Sequence, residues 1–215
     1  MTERVAFLID GLNVYHSMKA ALSVGSVQHV KWLNYAAFCK SLLNDVVYFS
    51  QESALVNVIY FTALATHIPD TTAVMRHRIL IEALRLFGVE IVLGNFKAKR
   101  IVCQAECGLR FVTYEEKETD VNIAVRLLRL FIEDECDTVV IMSGDTDLVS
   151  AICTVKQIFP HKRIGVAFPY KRSNGHFRQV ADFTFKISAE RYQQYQLSDS
   201  LIGLEGKLIT KPLQW

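Results

Sequence analysis

Two hydrophobic periods alternate along the chain. Short apolar runs at 4–10 (RVAFLID), 53–64 (SALVNVIYFTAL), 88–94 (GVEIVLG), 137–143 (DTVVIMS) and 163–169 (RIGVAFP) show little polar alternation. Runs of that kind are strands covered on both faces. Between them, 33–43, 71–88, 119–134 and 146–159 repeat apolar residues at helical spacing. Thr71 or Thr72 is placed to cap the second of these helices and Gly88 to end it. Strand and helix in alternation predict a three-layer α/β/α fold around a central, mainly parallel sheet. Residues 95–114 break the rhythm, because basic residues and CQAEC precede a short β-rich run, LRFVTY; this is a candidate hairpin insertion. From 191 to 215 no period is strong, so one domain over 1–190 is expected, followed by a tail that packs across it or across a partner.

Composition adds bounds to this picture. At 215 residues and 51% hydrophobic, the chain can bury a substantial core within one unit. A net charge of +2 argues neither for nor against nucleic acid, though it leaves room for a local basic patch beside an acidic pocket. MTERVAFLID lacks the flanks of a secretory signal and no apolar run reaches membrane-spanning length, so a cytoplasmic protein without a membrane partner is expected. Five scattered cysteines, an odd number, suit a reducing compartment. Cys103 and Cys107 are spaced C-x3-C with no second Cys or His pair at zinc-ribbon distance, which argues against structural zinc.

The chemistry concentrates where strands end. Asp10 closes the first strand in FLIDGLN, Asp145 and Asp147 follow the fourth in SGDTD, and Asp120 opens the helix TDVNIAVRLLRLF. In an open parallel sheet, ligands gather beyond the carboxyl ends of the strands. Each acid alone has an ordinary explanation as a turn, a cap or a helix-start residue. Together they form one set at one edge, and two acids spaced by two at the mouth of a buried strand repel unless a cation lies between them. Mg²⁺ and Mn²⁺ prefer such carboxylate oxygens, and ions so held activate water for phosphodiester hydrolysis.

FLIDGLNVYHS, EEKETDVNIAVRLL, VVIMSGDTDLVSAI and RIGVAF, in this order, resemble the NYN domain family, in its LabA-like branch of the PIN-like nuclease fold. The resemblance runs from about Val5 to Ile187 and implies a metal-dependent ribonuclease, acting as an endoribonuclease, with RNA as partner and Mg²⁺ or Mn²⁺ as cofactor. Asp10 and Asn13 match the opening DxxN, Lys117 and Asp120 the EKxxDV element, and Asp145 and Asp147 the SGDxD motif. Asp10, Asp120, Asp145 and Asp147 are then both the catalytic and the metal-binding set. Glu116 precedes the matched lysine, and Glu118 is an extra acid within reach of the pocket. Thr146 keeps a hydroxyl where the family often has Ser; Leu148 replaces a common Phe and should face the core.

Asn13, Lys117, Ser143, Thr146, Lys171 and Arg172 are the expected substrate-binding residues. Ser143 and Thr146 can orient metal ligands or touch phosphate, and Asn13 can fix a carboxylate or the RNA backbone. RNA must approach an acidic pocket, so basic residues are wanted at its rim. PYKRSNGHFR offers Lys171, Arg172, His176 and Arg178, with Tyr170 and Phe177 to stack on bases; FKAKR offers Lys97, Lys99 and Arg100. A haloacid-dehalogenase-type phosphatase would want a second Asp two residues after Asp10, where this chain has Leu12. A catalytically silent RNA-binding or assembly module on the same fold is the other reading, and a homodimer is compatible with the apolar tail.

Overall fold

The computed structural model describes residues 2–25, 27–45, 52–103, 107–203 and 206–215. In it, a seven-stranded sheet is ordered β4-β3-β2-β1-β5-β6-β7, with β1 Arg4–Asp10, β2 Ala54–Ala63, β3 Glu90–Val102, β4 Arg110–Lys117, β5 Thr138–Met142, β6 Arg163–Phe168 and β7 Phe183–Lys186. All neighbours pair in parallel except β3 and β4, which run antiparallel. The helices are α1 Gly11–Ser23, α2 Tyr35–Asp45, α3 Thr71–Leu86, α4 Thr119–Ile132, α5 Val149–Ile158, α6 Phe177–Val180 and α7 Ala189–Gln194.

Residue alternation along β1 explains the three layers. Val5, Phe7 and Ile9 enter one core with Val14, Met18, Phe38 and Leu84, from α1, α2 and α3. Ala6 and Leu8 enter the other with Ile123, Leu127 and Ile152, from α4 and α5. All of these are buried, so the central strand has no solvent face and reads as a continuous apolar run. Leu148 is buried in the second core, as its position after SGDTD required.

The chain makes β1, β2 and β3 on one side and β5, β6 and β7 on the other. Loops therefore diverge above the β1/β5 pair, and a crevice opens there.

Several boundaries differ from the sequence expectation for local reasons. Asp70, not Thr71 or Thr72, caps α3, because its carboxylate accepts the Thr72 N–H at 3.0 Å. Gly88 does end that helix, at φ 75°, where an L side chain is disfavoured. The segment after SGDTD starts as a 3-10 turn, Thr146–Leu148, before α5. Residues 95–117 form the antiparallel arm of β3 and β4, paired from Asn95↔Lys117 to Val102↔Arg110. Residues 104–106, within CQAEC, lie outside the described residues, and all five cysteines are free. Beyond α7, β8 (Ser200–Ile202) and β9 (Leu208–Thr210) make a small hairpin tied to α3 by Lys207 Nζ–Glu82 Oε1 at 2.7 Å. Trp215 returns to Trp32, ring centroids 6.2 Å apart.

Candidate active site

The parallel register Ile9↔Met142 places Asp10 beside Ser143 at the top of the sheet. Asp10 is buried and caps α1: its Oδ1 accepts the Asn13 N–H at 3.0 Å, and its Oδ2 accepts the Ser143 hydroxyl at 2.7 Å. The same Ser143 oxygen accepts the Asp145 N–H at 3.0 Å. Asn13 Oδ1 accepts the Gly144 N–H at 3.2 Å, and Asp145 Oδ1 accepts the Asp147 N–H at 3.2 Å. These bonds lock the β1–α1 corner to the β5 loop. Only glycine fits at 144, because a Cβ there would stand 1.9 Å from the Arg172 carbonyl oxygen. The loop after β6 is thus pressed onto the same corner.

Two more acids arrive from the antiparallel arm and α4. Glu116 lies near the end of β4, and its Oε1 accepts the hydroxyl of buried Thr119 at 2.5 Å. Asp120 occupies the first turn of α4. Burial pushes Asp10 above the usual carboxylate range, and the Asp145 charge adds to it. Burial, then the charges of Asp145, Asp10 and Asp147, raise Asp120 to about 6. Burial, opposed by the Thr119 hydrogen bond and reinforced by Asp10 and Asp120, raises Glu116 to about 7. Five carboxyl groups from separate segments therefore share one field, in which negative charge is unfavourable.

A family model for the NYN domain matches residues 4–189 of this constellation and its scaffold. The chain belongs to the NYN domain family. NYN domains are generally nuclease-like with a PIN-like fold, typically act as ribonucleases, and generally use divalent metals. The fold is similar to the crystal structure of a protein of unknown function from Vibrio parahaemolyticus, with a TM-score of 0.57 and 20% identity, over 91% of this chain and 97% of that one. No curated protein matches the chain. Among the described residues, no helix is long and apolar enough to cross a membrane.

Within the NYN domain, the acids named from the sequence meet, but Glu116 was overlooked in favour of Glu118. Strand alternation carried the signal. Glu115 and Lys117 pair at 3.0 Å on one face of β4, so Glu116 must face the other way, toward Asp10 and Asp120. Glu118 leaves the strand at φ 78° and bonds Asn95 Nδ2 at 2.8 Å and Lys97 Nζ at 3.5 Å, outside the acidic group. Lys117 consequently points away from the acids.

The other expected contacts divide similarly. Ser143 is fully buried, so it orients Asp10 and Asp145 and does not reach phosphate. Asn13 is a tie between two loops, and Thr146 is half-buried in the 3-10 turn. Arg172 is exposed beside the site, and its charge helps depress His16, whose largest perturbation is burial. Lys171 takes a left-handed φ of 59° with Nζ 5.4 Å from the Tyr170 ring. Phe177 cannot stack on bases: it is wholly buried against Phe168, because α6 turns it inward. In the other basic cluster, Lys97 and Lys99 are ion-paired with Glu118 and Glu115.

The donor set fits a hard divalent cation in chemistry, being carboxylate only and electrostatically strained. Among the described residues, no three His, Cys, Asp or Glu side chains are grouped to hold an ion by themselves. Mg²⁺ characteristically uses one or two carboxylates and completes its shell with water and substrate phosphate, so the two facts agree.

Proposed function

We propose that this NYN domain is a metal-dependent ribonuclease that hydrolyses RNA phosphodiester bonds at the acidic cluster, with Mg²⁺ or Mn²⁺ as cofactor. The observation that carries the reading is the convergence of Asp10, Asp120 and the Asp145–Asp147 turn, with Glu116, on one corner, where burial first and neighbouring carboxylates second hold Asp10, Glu116 and Asp120 above their usual range. Clustered carboxylates without a counter-charge are a donor set suited to a hard divalent cation. Asp10, Asp120 and Asp145 would surround the ion, no more than two of them touching it directly and the rest acting through water, with Asp147 in the same pocket. A bound divalent ion there supplies an activated water and neutralises charge on phosphate.

The chain's own residues do the rest. Ser143 fixes the carboxylate of Asp10 and the backbone of Asp145, which ties the two acids to one corner. Without metal, burial and the charges of Asp10 and Asp120 raise Glu116 to about 7, so it can hold a proton beside these acids. Arg172 and Lys171 stand at the rim, where positive charge offsets the repulsion between acids and an RNA backbone. The motifs resemble the LabA-like branch, and the same nuclease chemistry is expected there.

The test incubates labelled single-stranded and structured RNAs with the protein in Mg²⁺, Mn²⁺ or EDTA, beside an Asp145→Asn control. Cleavage that needs metal and is lost in the control supports the enzyme. RNA binding without cleavage by either protein would replace it with a silent binding module.

A further inference from the structure

Next to the acids, a cavity of about 300 Å³ opens between the β1–α1 corner, α3 and the β3–β4 arm. Its wall begins at Gly11 and Leu12, the two residues after Asp10. Tyr60 closes that side: a Cβ on Gly11 would lie 2.6 Å from its ring, and Tyr60 senses the charges of Asp10 and Glu116. Phe96, on another wall, is the cross-strand partner of Glu116. The cavity thus adjoins the acidic corner through Gly11, Tyr60 and Phe96, and none of the five acids lines it.

The lining combines two chemistries. Tyr15, Tyr60, Phe96 and Trp215 offer aromatic surface, and His67 lies against both Phe96 and Tyr114, at centroid distances of 4.6 and 4.1 Å. Lys31 and Arg76 bring two cations to the same cavity, Arg76 already paired with Asp70 at 3.7 Å. Lys31 Nζ sits 5.6 Å from the Tyr15 ring centroid, and no carboxylate pairs with it among the described residues. His67 Nδ1 is a buried nitrogen without a hydrogen-bond partner. An unpaired ammonium set against aromatic surface suits a guest with a flat ring and an anionic group.

We propose that this cavity receives one unpaired nucleobase of the RNA strand that crosses the acids. Aromatic surface stacks on the base, and Lys31 neutralises the adjoining phosphate. Its volume lies at the small end of ligand pockets, enough for one nucleoside and too little for a duplex. The pocket thereby selects single-stranded or looped RNA and sets the cleaved bond at a fixed step from the captured base. This rests on the ribonuclease reading above.

Binding is measured by fluorescence anisotropy with the Asp145→Asn protein in Mg²⁺, so that nothing is cut, using a short single-stranded oligoribonucleotide scanned with one abasic site per position. One position should weaken binding about tenfold, the scale of a single base–aromatic stack. Tyr15→Ala and Lys31→Gln should erase that position dependence at unchanged melting temperature, and Tyr15→Trp should restore it. Tyr15 is 38% exposed, so these changes leave the core intact. An equal effect at every position, or a dependence that survives Tyr15→Ala, would overturn the pocket. A free mononucleotide that competes as strongly as the whole strand would assign the cavity to a soluble nucleotide and overturn the strand assignment. Cleavage by the unmodified protein is scored separately: its absence removes the ribonuclease reading, while the abasic profile still decides for or against the base pocket.

Discussion

The two ends of the sheet use the same residue types to opposite effect. At the amino end of β1, Arg4 Nη2 reaches Asp137 Oδ1 at 2.8 Å and Asp134 Oδ1 at 2.9 Å, while Lys162 Nζ reaches Asp134 Oδ1 at 2.5 Å. Arg163 pairs with Glu3 at 2.8 Å beside them. Hydrogen bonding to Arg4 holds Asp137 well below its ordinary pKa. At the carboxyl end, Asp10, Glu116 and Asp120 sit among like charges and are held above theirs. The first set of acids has its cations built in; among the described residues the second has none.

Four measurements sharpen or break that contrast. The largest effect is expected from Asp10→Asn: cleavage should fall about a hundredfold or more, beyond what outer-shell changes at metal sites do. Initial rates on labelled RNA in Mg²⁺ and Mn²⁺ read this, and a rate within error of the parent would remove Asp10 from the site. Next, Glu116→Gln should slow cleavage about tenfold, within the range for a group supporting a metal site, whereas Glu118→Gln should leave the rate unchanged. Equal effects of the two would show that the direction of β4 side chains does not matter.

At the opposite edge, Asp137→Asn should cost about 1 kcal/mol of stability, read by urea denaturation, without altering the cleavage rate. Lost activity at undiminished stability would dissolve the distinction between the two edges.

The last measurement is a pH dependence whose sign differs between the ends. Glu116 and Asp120 are raised on folding from 4.5 and 3.8 to about 7 and about 6. A raised carboxyl gives stability that is full below its unfolded pKa and is lost as pH rises through the folded value. Metal-free protein should thus lose melting temperature between about pH 4 and about pH 7, and Mg²⁺ or Mn²⁺ should flatten the loss while releasing protons. Asp137, depressed on folding, contributes the reverse: stability present above pH 3.8 and lost as pH falls below it. A melting temperature that climbs across the upper window without metal would contradict the shared field.

What the sequence disclosed follows the same physics. Continuous apolar runs announced β1, β2, β5 and β6, because strands buried on both faces leave no ambiguity of side. α1 escaped notice: its buried positions, Gly11, Val14, Ser17, Met18 and Ala21, have helical spacing but include small and polar residues. β7 is only four residues long, and β8 and β9 three each, too short for a period to show. Asp10, Asp120, Asp145 and Asp147 were legible as strand-end and helix-start acids. Glu116 was not, since EEKE hides which acid faces inward until the pairing with β3 fixes the alternation. Phe177 looked available for stacking because the four-residue α6 that buries it has almost no pattern of its own.

The placement of β1 between β2 and β5 also bears on how the protein is made. The Ser143–Asp10 hydrogen bond joins residues 133 apart, and Asp10 has no other side-chain partner on β5 to meet earlier. Long-range pairings of this kind close slowly, after local structure has formed. A ribosome-bound chain can assemble β1, α2 and β2 while its site is still in two pieces. The acidic corner is therefore complete only when β5 and the turn behind it have left the exit tunnel and docked onto β1.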